Sequence, residues 1–143
     1  HHRLEQAQLV ALQPDGEQTP LFCIYGVETY RTLAARLGHD RPVYGMMVPS
    51  EIGLFSEQSS STHKDGPSIE QLASEYIALI RTRQPEGPYN LTGFSAGGVL
   101  AFEIAQRLRA EGHQIGLLAM IDCGYPSRSA LTPGLWLKRR WLR

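Results

Sequence analysis

The sequence lacks the features that would tie it to an oxidising compartment, to nucleic acid or to a membrane. It has only two cysteines, Cys23 and Cys123, which are too few for a disulfide framework, so we expect a cytoplasmic location. Its 14 basic residues balance 14 acidic residues, which argues against nucleic acid as a partner. Its apolar runs are too short to cross a bilayer, so we expect no stable membrane association.

What the sequence does contain is typical of an α/β domain. Hydrophobic residues make up 42% of the 143 residues, enough for one domain with a core. Apolar runs alternate with amphipathic stretches, which favours a parallel sheet with helices on both faces. Strands are predicted at residues 6–13, 21–25, 42–48, 89–91 and 115–121, and helices at 30–37, 69–84 and 96–111. Residues 49–67 are predicted to form a long polar loop.

Two local signals fix where helices begin. Ser68-Ile69-Glu70-Gln71 is a capping box, in which Ser68 and Gln71 are expected to satisfy each other's backbone N–H groups. Gly93-Phe94-Ser95-Ala96-Gly97 matches G-x-S-x-G, the pattern of a nucleophile elbow between a strand and a helix. The crowded turn of such an elbow needs glycine two residues before and two residues after the serine.

The elbow predicts Ser95 as a nucleophile exposed at a strand end. The N–H of Ala96 would then lie at a helix N-terminus, where it can bind an oxyanion. The alternative interpretation is that Ser95 is only a small residue in a glycine-rich turn.

A serine nucleophile needs a base and an acid that orients the base. Asp122 is the candidate acid, because it ends the strand after the elbow helix and would lie beside Ser95. Asp122 could otherwise be a loop or capping acid after a strand. The second oxyanion donor would be the N–H of Val27, although residues 26–29 could instead form a plain strand-to-helix turn.

No base can be assigned from the sequence. In α/β-hydrolases the histidine follows the acid, and no histidine follows Asp122. His39 and His113 fall in turns at the wrong ends of the strands, and His63 falls in the long polar loop. We therefore expect the base to lie beyond Arg143 or to be absent.

These residues resemble the type I thioesterase domains of non-ribosomal peptide synthetases and polyketide synthases. The resemblance covers about residues 19–126 and is strongest where Gln84-Pro85-Glu86-Gly87-Pro88-Tyr89 precedes Gly93-Phe94-Ser95-Ala96-Gly97-Gly98. It implies a three-layer α/β-hydrolase fold with a mostly parallel sheet, here lacking the last strands and the histidine-bearing loop. Residues 1–126 would be the N-terminal part of the core, and residues 127–143 the start of a lid or linker helix.

The resemblance also implies roles and a reaction. Ser95 matches the family's nucleophile, Asp122 its acid, and Ala96 and Val27 its oxyanion donors. The implied reaction releases an acyl, peptidyl or polyketide chain from phosphopantetheine on a carrier protein, through an acyl-Ser95 intermediate, by hydrolysis or macrocyclisation. The carrier is expected to be a preceding domain of the same polypeptide, and no metal or bound cofactor is expected.

Two alternatives stay open. The chain could belong to a stand-alone editing thioesterase, or to a carboxylesterase or lipase on the same fold. It could also be an inactive fragment that binds acyl groups or a carrier protein, because it holds an acid but no assigned base.

Overall fold

The computed structural model describes residues 6–51 and 67–123, and within them the predicted alternation is present. The strands are β1 (Gln8–Gln13), β2 (Leu21–Ile24), β3 (Val43–Met47), β4 (Tyr89–Phe94) and β5 (Ile115–Ile121). The helices are α1 (Arg31–Arg36), preceded by a 3₁₀ turn at Glu28–Tyr30, α2 (Ile69–Arg83) and α3 (Ala96–Ala110). The boundary expected near residue 126 lies outside the described residues.

The strands form one sheet in the order β1-β3-β2-β4-β5. Strands β3, β2, β4 and β5 pair in parallel, and β1 pairs antiparallel with β3, so the predicted mostly parallel sheet is confirmed. Ile24 pairs with Gly93, and Phe94 pairs with Ile121. The segments that follow β2, β4 and β5 therefore leave the sheet side by side at one edge.

Helices cover both faces of the sheet, which explains the continuous apolar run in β2. Leu21 and Cys23 pack in one cluster with Ala34 of α1. Phe22 and Ile24 pack in a larger cluster on the opposite face, together with α2 and α3. Because successive side chains of a strand point to opposite faces, a strand that is buried on both faces is apolar at nearly every position.

Several predicted boundaries were wrong. Strand β4 continues to Phe94 instead of ending at residue 91, because this stretch pairs with β2 on one side and β5 on the other. Residues 49–51 are helical instead of part of a loop, and Glu51 at their end is buried. Helix α1 ends at Arg36, one residue before the predicted end, and Leu37 is exposed.

Helix α2 begins at the predicted cap, but only half of the capping box forms. The Ser68 hydroxyl oxygen accepts a hydrogen bond from the Gln71 N–H at 3.0 Å. The return bond, from the Ser68 N–H to the Gln71 side-chain oxygen, is not formed among the described residues, and Gln71 Nε2 donates to the Ser50 hydroxyl at 3.3 Å. Gln71 thus links the start of α2 to the helical turn after β3.

The half-formed box makes Ser68 the stabilising residue of the pair. Replacing Ser68 with Ala leaves the Gln71 N–H without its side-chain acceptor, and we expect a loss of about 1 kcal/mol in the free energy of unfolding. Urea denaturation measures this loss. The control Ser50→Ala removes only a side-chain contact and should change stability by less than about 0.5 kcal/mol. Equal losses in the two variants would contradict the capping role.

Candidate active site

Ser95 occupies a strained backbone conformation between β4 and α3. Its φ of 56° and ψ of −121° lie in a region that residues with a side chain rarely adopt. Two backbone hydrogen bonds hold it there: its N–H donates to Ile121 and its carbonyl oxygen accepts from Gly98, each at 2.9 Å. The residue is exposed at the edge where the parallel strands end. The conformation is that of a nucleophile elbow.

The glycines around Ser95 are required by close backbone contacts. A Cβ atom on Gly93 would lie less than 3.0 Å from the carbonyl oxygen of Gly97. A Cβ atom on Gly97 would lie less than 3.0 Å from the carbonyl oxygen of Ile24, at the end of β2. A Cβ atom on Gly98 would lie 2.5 Å from Cys123 Sγ. The elbow therefore packs closely against the ends of both neighbouring strands. Side chains at these positions would push the elbow away from those strands.

Asp122 lies beside Ser95 in the sheet. It follows β5 directly, and the residue before it, Ile121, pairs with Phe94 and accepts the Ser95 N–H. Asp122 is exposed and has a φ of 47°, a left-handed conformation that aspartate adopts more readily than most residues. The structure thus brings the two sequence-predicted side chains to the same edge, on neighbouring strands.

We call residues 25–27, which follow β2, the oxyanion loop, after the role that the sequence predicts for Val27. Tyr25 and Gly26 have φ values of 71° and 93°, so the chain reverses sharply after the strand. The loop contacts the elbow, because a Cβ atom on Gly97 would lie 3.2 Å from Tyr25 Cβ. The N–H of Val27 has no hydrogen-bond partner among the described residues. The N–H of Ala96, the first of α3, has no acceptor within its own helix.

Tyr30 joins the oxyanion loop to the elbow, and sequence reasoning missed it. Its hydroxyl donates to the Ile24 carbonyl oxygen and accepts from the Phe94 N–H at 2.9 Å. The ring is buried, and burial raises the pKa of the hydroxyl to about 12, so it stays protonated near neutral pH. Tyr30 therefore bridges the last residue of β2 and the residue before Ser95. Its position in the sequence, at the start of a helix, gave no sign of this contact.

The two described histidines lie at the opposite edge of the sheet from Ser95. His39 Nδ1 lies 3.4 Å from Gln13 Oε1, and the His113 ring packs against Tyr89 with ring centres 5.4 Å apart. Both residues precede strands, as the sequence indicated, and His63 lies outside the described residues. The base for Ser95 is thus not supplied by either of them.

The described residues hold no cluster of histidine, cysteine, aspartate and glutamate that could bind a metal ion. Cys23 is fully buried, and burial raises the pKa of its thiol to about 12. None of the helices in the described ranges combines the length and the apolar character needed to span a bilayer.

Gly93 gives a direct test of the elbow geometry. Replacing Gly93 with Ala would place a methyl group against the Gly97 carbonyl, and we expect a loss of more than about 4 kcal/mol in unfolding free energy. The control Gly38→Ala adds a methyl group with nothing within 4 Å, at a φ of +82°, and should cost about 1 kcal/mol. Thermal melting of the two variants compares them, and a Gly93→Ala protein as stable as Gly38→Ala would rule out the close contact.

The chain is similar to known proteins over most of its length. A family model described as a thioesterase domain matches residues 20–133. The polyketide synthase PksR of Bacillus subtilis (strain 168) is 35% identical over 126 residues, which cover 85% of this chain. A crystal structure of a four-domain nonribosomal peptide synthetase bound to AMP and glycine is 27% identical over 87% of this chain, with a TM-score of 0.68. The Vlm2 thioesterase domain is 26% identical over 94% of this chain, with a TM-score of 0.62.

The chain spans only a small part of the multidomain relatives. It covers 5% of PksR and 9% of the four-domain synthetase. It covers 55% of the Vlm2 chain. The residues that the family model matches include β2 to β5, the elbow and Asp122.

Proposed function

Because the chain belongs to the thioesterase domain family, we propose that it carries the nucleophile, the acid and the oxyanion hole of a serine-dependent thioesterase. The observation that carries this proposal is Ser95 itself. It is an exposed serine at φ 56°, held at the start of a helix and beside the oxyanion loop. Strain of this kind persists only where surrounding contacts enforce it, and it is common at catalytic residues.

The proposed reaction begins when Ser95 Oγ attacks the carbonyl carbon of a thioester. Its proton passes to a base that Asp122 orients, the role of a histidine in a catalytic triad. The negative charge that develops on the carbonyl oxygen is bound by the N–H groups of Ala96 and Val27. Collapse of the tetrahedral intermediate breaks the carbon–sulfur bond, and the thiol leaves with a proton. The acyl-Ser95 ester is then released by water or by a nucleophile within the acyl chain itself.

The proposed substrate is an acyl, peptidyl or polyketide chain on the phosphopantetheine arm of a carrier protein. Support comes from the relationship to a polyketide synthase and to a nonribosomal peptide synthetase. The surface at the site suits an acyl chain, because Phe94 and Ile121, which immediately precede Ser95 and Asp122, are 41% and 40% exposed. Thioester cleavage of this kind needs no metal or cofactor bound by the domain.

The proposed partner is therefore the carrier protein, as a preceding domain of the same polypeptide. The reaction would take place in the cytoplasm, the location that the low cysteine content favours. A carrier delivers its substrate by transient contact, so the site must stay open to the surface. The exposure of Ser95 and Asp122 at one edge of the sheet meets that requirement.

Covalent labelling tests the nucleophile. The full-length protein incubated with a fluorophosphonate should gain one adduct on Ser95, observed by intact mass and peptide mapping, and Ser95→Ala should gain none. The control Ser74→Ala removes a hydroxyl that donates to the Glu70 carbonyl on the surface of α2, and it should label like the wild type. An adduct that survives Ser95→Ala would refute the assignment.

Removing the acid tests the proposed triad. In full-length Asp122→Asn the histidine would be held in the wrong tautomer, so turnover of an acyl thioester should fall by about 10⁴-fold. The control Asp40→Asn changes an exposed aspartate before β3, at the opposite edge of the sheet, and should leave turnover unchanged. Unchanged turnover in Asp122→Asn would mean that another residue orients the base.

A further inference from the structure

A buried carboxylate and a buried tyrosine lie directly behind the oxyanion loop. Glu51, in the helical turn after β3, is 1% exposed, and Tyr76 of α2 is fully buried. Glu51 Oε1 accepts the N–H of Gly26 at 2.8 Å. The Tyr76 hydroxyl accepts the N–H of Tyr25 at 3.1 Å and donates its own proton to Glu51 Oε2.

Burying a carboxylate is costly, so the contacts of Glu51 need an explanation. Loss of hydration raises the pKa of Glu51, and hydrogen bonds from Tyr76, Gly26 and Val48 counter that rise. Both of its carboxylate oxygens accept bonds from donors, as an ionised group requires. A carboxylate in this position would be destabilising unless those donors were fixed.

The donors that Glu51 and Tyr76 bind belong to the strained part of the loop. Tyr25, a residue with a side chain, has a φ of 71°, and Gly26 follows with a φ of 93°. Backbone in these regions persists only when neighbouring groups hold it. Since the N–H groups of Tyr25 and Gly26 both point inward to this pair, neither can bind an anion at the elbow. The next N–H, that of Val27, has no partner among the described residues.

We infer that Glu51 and Tyr76 are positioning residues for the oxyanion hole. By binding the N–H groups of Tyr25 and Gly26, they turn the loop so that the Val27 N–H is left to bind the oxyanion formed at Ser95. They touch neither Ser95 nor the substrate, and they act through the backbone of the loop. This inference rests on the proposed thioesterase function.

A positioning role and a purely structural role predict different kinetics. If the pair only stabilises the fold, its loss lowers the melting temperature, while protein that remains folded turns over normally. If it positions the loop, folded protein loses stabilisation of the tetrahedral intermediate, so kcat falls while KM stays nearly constant. The distinction requires measurements well below the melting temperature.

The experiment uses the full-length protein and an acyl N-acetylcysteamine thioester. We expect Tyr76→Phe to lower kcat by about 10- to 100-fold, because one misdirected oxyanion donor has effects of this order. Amide exchange should become faster at residues 25 and 26. Glu51→Gln keeps an oxygen for the Gly26 N–H and should retain more activity than Glu51→Ala, which keeps none.

Two matched variants control for the loss of a buried group. Tyr89→Phe removes the hydroxyl of an equally buried tyrosine, which donates to the Gln84 carbonyl at 3.0 Å at the opposite edge of the sheet. Glu103→Gln neutralises another buried glutamate, which pairs with Arg107 within α3. Both should keep kcat within about twofold of the wild type.

The outcomes separate this inference from the function on which it rests. If Ser95 of the wild-type protein takes up no fluorophosphonate, the proposed function itself fails. If the wild type labels and turns over, but folded Tyr76→Phe and Glu51→Gln keep the wild-type kcat, the positioning role is overturned. Should Tyr76→Phe fail to fold, the comparison of Glu51→Gln with Glu103→Gln decides the question. Equal kcat in these two variants would overturn the inference, and a selective loss in Glu51→Gln would support it.

Discussion

The turn from β4 into α3 can form only where no side chain stands between the strand and the helix. Gly93 lies against the Gly97 carbonyl, and Gly97 lies against the end of β2, so both must lack a Cβ atom. Ser95, between them, takes the strained conformation that this approach imposes. Such strain costs about 1–3 kcal/mol, and burial of the first five residues of β4 is large enough to offset it.

The same close approach links the elbow to the oxyanion loop, and buried tyrosines strengthen that link. Tyr30 binds the Ile24 carbonyl oxygen, while Tyr76 binds the Tyr25 N–H. These two groups belong to one peptide unit, at the point where β2 ends. Tyr30 packs in the cluster that contains Ala34 of α1 on one face of the sheet, and Tyr76, a residue of α2, packs in the cluster on the other face. One peptide group is thus held from both faces, and the loop begins from a fixed orientation.

Sequence patterns predicted the parts of the structure that depend on neighbouring residues. The alternation of apolar runs predicted the sheet, and the glycine spacing predicted the elbow with its exposed Ser95. The end of β4 was missed because Thr92, the first residue beyond the predicted strand, is polar, although it is buried. Thr92 is accommodated there because its hydroxyl donates to the Ala119 carbonyl of β5 at 3.0 Å. A pattern of apolar residues cannot reveal a polar position that is satisfied across the sheet.

The contacts that Glu51 and Tyr76 make with the oxyanion loop could not be predicted from the sequence, for a related reason. Glu51 fell in a stretch predicted as a loop, and Tyr76 fell in the apolar stripe of α2. Glu51 is separated by 25 positions in the chain from Gly26, which it binds. Tyr76 is separated by 51 positions from Tyr25. The glycine requirement of an elbow is local, because it comes from one turn of backbone. A base, or a group that positions an oxyanion donor, reaches the serine through packing, and no fixed spacing marks it. Backbone geometry therefore makes the elbow recognisable from a pentapeptide, whereas the contacts of Glu51 and Tyr76 become visible only in the folded protein.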